Sequence, residues 1–156
     1  MRFRAVFPAK SIANAALVYR TDEYSFDVEP SRANFTSVLF NDLNIEIDCA
    51  GRAVSVWGLC PYTTWTAARV SPPEASFGDL FFISDKPLVG GVSLRVDSQR
   101  WPVFVDRDSG WILLDRGRTP DIAVKLLSGI IMGIGEDGEL AGIWLKPMIL
   151  PTQLTV

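Results

Sequence analysis

No histidine occurs in the 156 residues, and this absence removes more chemistry than any other feature of the sequence. Without imidazole there is no Ser-His-Asp or Cys-His engine, no ordinary catalytic zinc site and no facial triad for iron. Cysteine is nearly absent too. Cys49 falls in a turn, Asp48-Cys49-Ala50-Gly51, and Cys60 lies further down the strand that follows. At ~3.3 Å per strand residue the two stand roughly 30 Å apart, whereas a disulfide needs Cα atoms within about 7 Å. Two reduced thiols are expected, and with them a reducing compartment. Neither His nor a nearby Lys would activate Cys60, which reads as a small apolar side chain.

Long apolar runs are missing as well. The most apolar stretch, Leu126 to Leu150, is broken by Glu136, Asp137, Glu139 and Lys146, short of the ~20 residues a membrane helix needs. Pro8, Lys10 and Ser11 interrupt the N-terminal run before it reaches signal-peptide length. The expectation is a cytoplasmic protein with no membrane contact. Basic patches are absent: the only close pairings are Arg2/Arg4 and Arg116/Arg118, in a chain of formal charge −3. A nucleic-acid partner is therefore not expected. Nor is there a phosphate-cradling loop. Gly90-Gly91 lacks the spacing, and Gly133-Ile134-Gly135 leads into a hairpin rather than a helix.

What is present is apolar and aromatic. Hydrophobic residues make up 48% of the chain and charged ones 21%, with five Trp, nine Phe and three Tyr. That balance offsets the entropy of folding, and the length suits a single globular domain over residues 1–156. Turn signals recur between Val-, Ile-, Phe- and Trp-rich segments, which is the pattern of many short strands.

Three hairpins stand out. Asn44–Asp48 turns at Cys49-Ala50-Gly51 and returns through Arg52–Trp57; Val103–Asp106 turns at Arg107–Gly110 and returns through Trp111–Asp115. Ile130–Ile134 turns at Glu136-Asp137-Gly138 and returns through Glu139–Leu145, its Asp-Gly pair predicting a tight primed turn. Further strands are expected at Arg2–Phe7, Trp65–Val70, Leu80–Ile83 and Val92–Val96. Helix is scarce: Ser11–Arg20 reads as about two turns behind a Ser cap, and Thr119-Pro120-Asp121 as a helix start, with the following Ile122–Leu127 open between a short helix and a strand. The expected fold is mainly β, with antiparallel sheets built from hairpins (a sandwich or an open barrel) and at most one or two short helices.

The first and third hairpins align at a constant offset, Ile47 with Ile134, Gly51 with Gly138 and Trp57 with Trp144. An internal duplication or shared hairpin chemistry would each produce this. The second is preferred, because the matches are mostly residues any hairpin wants.

The candidate functional residues are carboxylates and aromatics. Asp48, Asp106, Asp108, Glu136 and Asp137 lie in or beside turns. They suit a calcium site, a carboxylate pair for glycoside hydrolysis or an acidic docking face, or they stay in turns for local hydrogen bonding. Asp106-Arg107-Asp108-Ser109-Gly110 resembles a calcium loop over three positions but lacks the distal Glu. Tyr62 and Trp65, in a Thr-rich loop, and Trp101, beside Pro102, are the candidate binding anchors; core packing is the competing fate of each.

Gly51 to Pro61 followed by Trp65, with Asp137-Gly138-Glu139-Leu140 and Trp144-Leu145-Lys146-Pro147, resembles small bacterial proteins of unassigned function. These include immunity proteins that protect a cell from contact-delivered polymorphic toxins. The resemblance implies a cytoplasmic, non-catalytic module that binds and neutralises one toxin domain, with no cofactor and no metal. Such a partner is expected to be basic, which would give the acidic turns and the aromatic anchors a task. A small β-sandwich ligand binder or carboxylate-based enzyme, and an assembly subunit, are the alternatives.

Overall fold

Short apolar strands, some alternating with polar residues and some apolar throughout, build the molecule in the computed structural model, which describes residues 2–31 and 35–155. The first are β1 (Arg2–Val6), β2 (Ala16–Arg20), β3 (Ser25–Glu29), β4 (Thr36–Phe40), β5 (Leu43–Ile47) and β6 (Ala53–Leu59). Then come the short β7 (Thr66–Ala67) and β8 (Ser76–Phe77), β9 (Asp79–Ile83) and the short β10 (Leu94–Arg95). The last are β11 (Val103–Val105), β12 (Ile112–Asp115), β13 (Ile122–Leu127), β14 (Ile130–Ile134) and β15 (Leu140–Leu145).

They form a six-stranded sheet, β10-β4-β5-β6-β3-β2, and a seven-stranded sheet, β7-β11-β12-β15-β14-β13-β8, plus the ribbon β1-β9. Neither large sheet closes on itself. Phe26, Phe40, Ile45 and Val56 of the first share one core with Ile112, Leu114, Met132 and Ile143 of the second. The fold is therefore a mainly antiparallel sandwich, as expected, and not a barrel.

All three hairpins form, as β5-β6, β11-β12 and β14-β15. The third turn differs from expectation. Gly138 has φ +83° and no positive φ falls on Asp137. Gly138 N–H bonds Gly135 O at 2.9 Å, and Gly135 N–H bonds Glu139 O at 2.8 Å. This is a three-residue loop closed by a glycine bulge, not a two-residue primed turn, and a separate register shift at Gly133/Ile134 skips Ala141. The helical readings are corrected as well. Among the described residues there is no α-helix, only single 3-10 turns. Ala16–Arg20 is an edge strand because pairing with β3, from Ala16 opposite Glu29 to Arg20 opposite Ser25, outweighs alanine's helix preference. Thr119-Pro120-Asp121 leads into the strand β13.

The constant offset proves structural. In β5-β6, Leu43 opposes Gly58, Ile45 opposes Val56, and the register shifts at Glu46/Ile47. In β14-β15, Ile130 opposes Leu145, Met132 opposes Ile143, and the shift falls at Gly133/Ile134. Every position is 87 residues on. The hairpin β2-β3, with Leu17 opposite Val28, returns as β11-β12, with Val103 opposite Leu114, one residue out of step. Both five-strand units run in the same order, β4-β5-β6-β3-β2 and β13-β14-β15-β12-β11, and each carries a short parallel strand on its outer edge, β10 or β8. The likeness thus extends beyond one hairpin: the two units are structural repeats of each other in register and strand order.

The ribbon β1-β9 sits between the two units. Phe3 opposes Phe82 within it, Phe3 N–H bonds Gly138 O at 2.7 Å, and Phe82 N–H bonds Gly51 O at 2.8 Å. The paired glycine turns thus bind paired positions of the ribbon, which closes that end of the core with Phe3, Leu80 and Phe82.

Candidate functional site

The sequence-derived candidates do not assemble into one site. Both glycine turns contact the ribbon, so Asp48, Glu136 and Asp137 lie at one end of the sandwich. β12 pairs with β15 so that Ile112 opposes Leu145 and Asp115 opposes Gly142, which puts the 106–110 turn, with Asp106 and Asp108, at the far end of that sheet. No single acidic face forms from the five.

Three of these carboxylates are committed locally. Asp48 accepts from the amides of Ala50 and Arg52 and pairs with the Arg52 guanidinium at 3.3 Å. Asp106 accepts from the amides of Val70, Asp108 and Ser109, and these bonds, the Val70 amide foremost, hold it below the usual carboxylate range. Asp137 meets Arg118 at 2.7 Å, which depresses it in turn. Asp108 and Glu136 are exposed on their turns.

Two of the three aromatic anchors are corrected to core. Trp65 is buried and packs against Tyr19 and Phe26. Trp101 is buried, stacks on Phe40, exchanges backbone hydrogen bonds with the Asn41 side chain and donates its indole N–H to Asp97 at 3.0 Å. Both complete the core in the way large aromatics usually do. Tyr62 is half-buried and stacks on the exposed Tyr24. Cys60 is buried, and burial pushes its thiol up to about 11, while Cys49 is exposed; neither is bonded to the other.

The position that stands out emerges from comparing the two outer faces. On the second sheet, Trp144 is 7% exposed. A Cβ at Gly133 would fall 2.8 Å from its ring, and one at Gly142 would fall 3.2 Å from it, so the indole lies on bare backbone. Ala123, Ile131 and Val70 complete the cluster, with Leu113 and Ala75 against it. Residues 68–75 cross this face as a strap, since β7 pairs on β11 at one edge of the sheet and β8 on β13 at the other. The Val70 amide bonded to Asp106 anchors it.

On the first sheet the counterparts are polar. Glu46 stands where the second sheet has Gly133, Ser55 where it has Gly142, Asn44 where it has Ile131, and Asp27 where it has Leu113. Only the tryptophan is kept, and Trp57 is 44% exposed. Asp27, Ser31, Glu46, Ser55 and Trp57 line a cleft of about 210 Å³. Glu46 is only 7% exposed, and its Oε2 is buried with no hydrogen-bond partner among the described residues. Burial, and secondarily the Asp27 charge, push its carboxyl up to about 7. Nearby, Arg20 bonds both Asp27 and Glu29, so of three carboxylates on this face Glu46 is the one without a cation partner among the described residues. Ser37 donates to Asn44 Oδ1 at 2.9 Å and meets Ser93 at 2.7 Å, which satisfies the rest of the row.

The sequence matches no protein-family model and no curated protein. The internal comparison is therefore the informative one. A buried, unpartnered carboxylate costs on the order of 1–3 kcal/mol or more; the second unit avoids that cost with glycine and the first does not.

Sequence reasoning missed Glu46 and Trp57 as a site. In Asn44-Ile45-Glu46-Ile47, a glutamate between two core isoleucines reads as an ordinary solvent-facing strand residue. The signal lay in the offset: Glu46 and Ser55 align with Gly133 and Gly142 on either side of a retained tryptophan.

Proposed function

We propose that this chain is a non-catalytic protein-binding module that docks a basic partner on the outer face of β10-β4-β5-β6-β3-β2. The observation that carries this reading is the exchange of Gly133 and Gly142 for Glu46 and Ser55 beneath a tryptophan common to both units. One outer face is crossed by the chain's own strap and made dry. The other keeps carboxylates, hydroxyls and an exposed indole. A tryptophan beside desolvated polar groups is the composition of an interface hot spot, and the carboxylates supply complementarity to a cationic surface.

A toxin-neutralising role in the cytoplasm is the form of this reading that the immunity-protein resemblance implies. Among the described residues no helix is long and apolar enough to cross a membrane. Immobilised wild-type and Trp57→Ala chains, exposed to the soluble proteins of the source cell, test the module. A basic protein retained by the wild type and lost from Trp57→Ala supports it; no protein that distinguishes the two baits sinks it. Toxicity of the captured protein when expressed alone, relieved by co-expression of this chain, supports neutralisation.

A further inference from the structure

We infer that the cleft between Glu46 and Trp57 is a binding site for one guanidinium group, the side-chain head of an arginine presented by the partner. The inference rests on reading this face as a docking surface and names the chemistry of its anchor.

Three observations converge on a planar cation. First, Glu46 is more than nine-tenths buried, lines the cleft, and has an oxygen with no partner among the described residues; a buried acceptor of that kind is completed by a charged donor. Second, Trp57 supplies an exposed aromatic face in the same cleft, and guanidinium stacks on indole better than a compact ammonium does. Third, the volume of about 210 Å³ falls below the roughly 300–1,000 Å³ of sites for drug-sized ligands, and suits a single side-chain head.

The face already shows the preference. Arg20 donates from one guanidinium nitrogen, Nη2, to both Asp27 and Glu29, so the chain's own guanidinium serves two of the three carboxylates. A resident divalent metal fits less well. Calcium takes six to eight oxygen ligands, and among the described residues no three His, Cys, Asp or Glu side chains gather to hold an ion. The duplicated site serves as the internal control: Gly133 and Leu113 stand in place of Glu46 and Asp27, and the strap covers Trp144.

The probe is N-acetyl-arginine amide, titrated into the full chain at pH 8 while the Trp57 indole N–H resonance is followed, its assignment fixed by loss in Trp57→Phe. Saturable displacement with a dissociation constant in the millimolar range is expected, the scale of one stacked, charge-assisted contact. Glu46→Gln should weaken it about tenfold, and the uncharged citrulline amide should leave the resonance in place. An unmoved Trp57 resonance, or an equal response from Glu46→Gln or from citrulline amide, overturns the guanidinium site. That failure leaves the docking face to the capture experiment, in which Trp57→Ala is judged without any arginine probe. Glu46→Asp, which keeps the charge on a shorter stem, shows that lost binding in Glu46→Gln follows the carboxylate and not the fold, provided binding partly returns.

Discussion

Trp57 and Trp144 hold the same position in two hairpins of identical register, yet one ring is 44% exposed and the other 7%. Their difference comes from neighbours rather than from the tryptophans. Bare backbone at Gly133 and Gly142 lets Trp144 lie flat, and the 68–75 strap then excludes water. Glu46 and Ser55 occupy the matching ground beneath Trp57. One outer face is thus covered by the chain's own strap, and the other leaves its tryptophan exposed.

The two tryptophans should therefore separate stability from binding. Trp144→Ala removes a buried indole and is expected to cost about 3–5 kcal/mol. Trp57→Ala should lie within about 1 kcal/mol of wild type, as surface changes do. Denaturant midpoints at constant slope check this; comparable losses would mean that Trp57 is structural.

The paired glycine turns give a second test. Gly51 and Gly138 have φ +86° and +83°, a region closed to β-branched residues. Gly51→Val and Gly138→Val should each cost roughly 1–3 kcal/mol. Gly138→Val is expected to cost more, because a Cβ there falls 3.0 Å from Phe3 O, against 3.5 Å from Phe82 O at Gly51. Gly90→Val, at ordinary φ against the movable Phe35 ring, should cost less than either. If Gly90→Val proves the worst of the three, the turn assignment is wrong.

Much of this architecture was legible because hairpins announce themselves locally. Asp48–Gly51 and Glu136–Gly138, flanked by alternating residues, place β5-β6 and β14-β15 within a residue or two. The edge strand β2 was not legible, because Ala15-Ala16-Leu17 favours helix in isolation and only pairing with Ser25–Glu29 makes it a strand. Strands β3 and β4 carry no turn signature of comparable strength. The structural repeat was hidden because it lies in register and strand order, with few identical residues at matching positions. The site failed to show for a related reason: Glu46 looks ordinary until its counterpart is seen to be glycine.

The thiols should report burial directly. A disulfide reagent at neutral pH is expected to modify Cys49 in the native chain and Cys60 only after unfolding, since Cys60 is buried and pushed up to about 11. Reductant should leave the melting temperature unchanged. Two fast-reacting thiols in the native state would contradict the burial of Cys60, whose backbone carbonyl accepts from the Tyr19 hydroxyl at 2.8 Å.

Glu46 makes the stability of the chain depend on pH in a direction opposite to most carboxylates. Its folded-state pKa is pushed up to about 7 from an ordinary 4.5, mainly by burial and then by Asp27. Between those values the native state holds a proton that the unfolded chain has released. Stability is thus greatest below about pH 4.5, falls as the pH rises toward 7, and levels off above. The full span amounts to at most about 3 kcal/mol. Asp97, Asp106 and Asp137 are held low by hydrogen bonds and arginines; their contribution is present at neutral pH and lost in acid, so the Glu46 effect must be read as a difference between variants. Glu46→Gln carries a permanently neutral side chain of the same shape. It should match wild type near pH 4 and exceed it at pH 8. Asp27→Asn should shift the midpoint of the wild-type decline to lower pH, because it removes the one negative charge that raises Glu46, while Arg20 and Glu29 remain on the same face. Chemical denaturation of the three proteins across pH 4–8 settles the matter: a wild-type-to-Gln difference that does not vary with pH would show that Glu46 is ionised in the fold and already partnered.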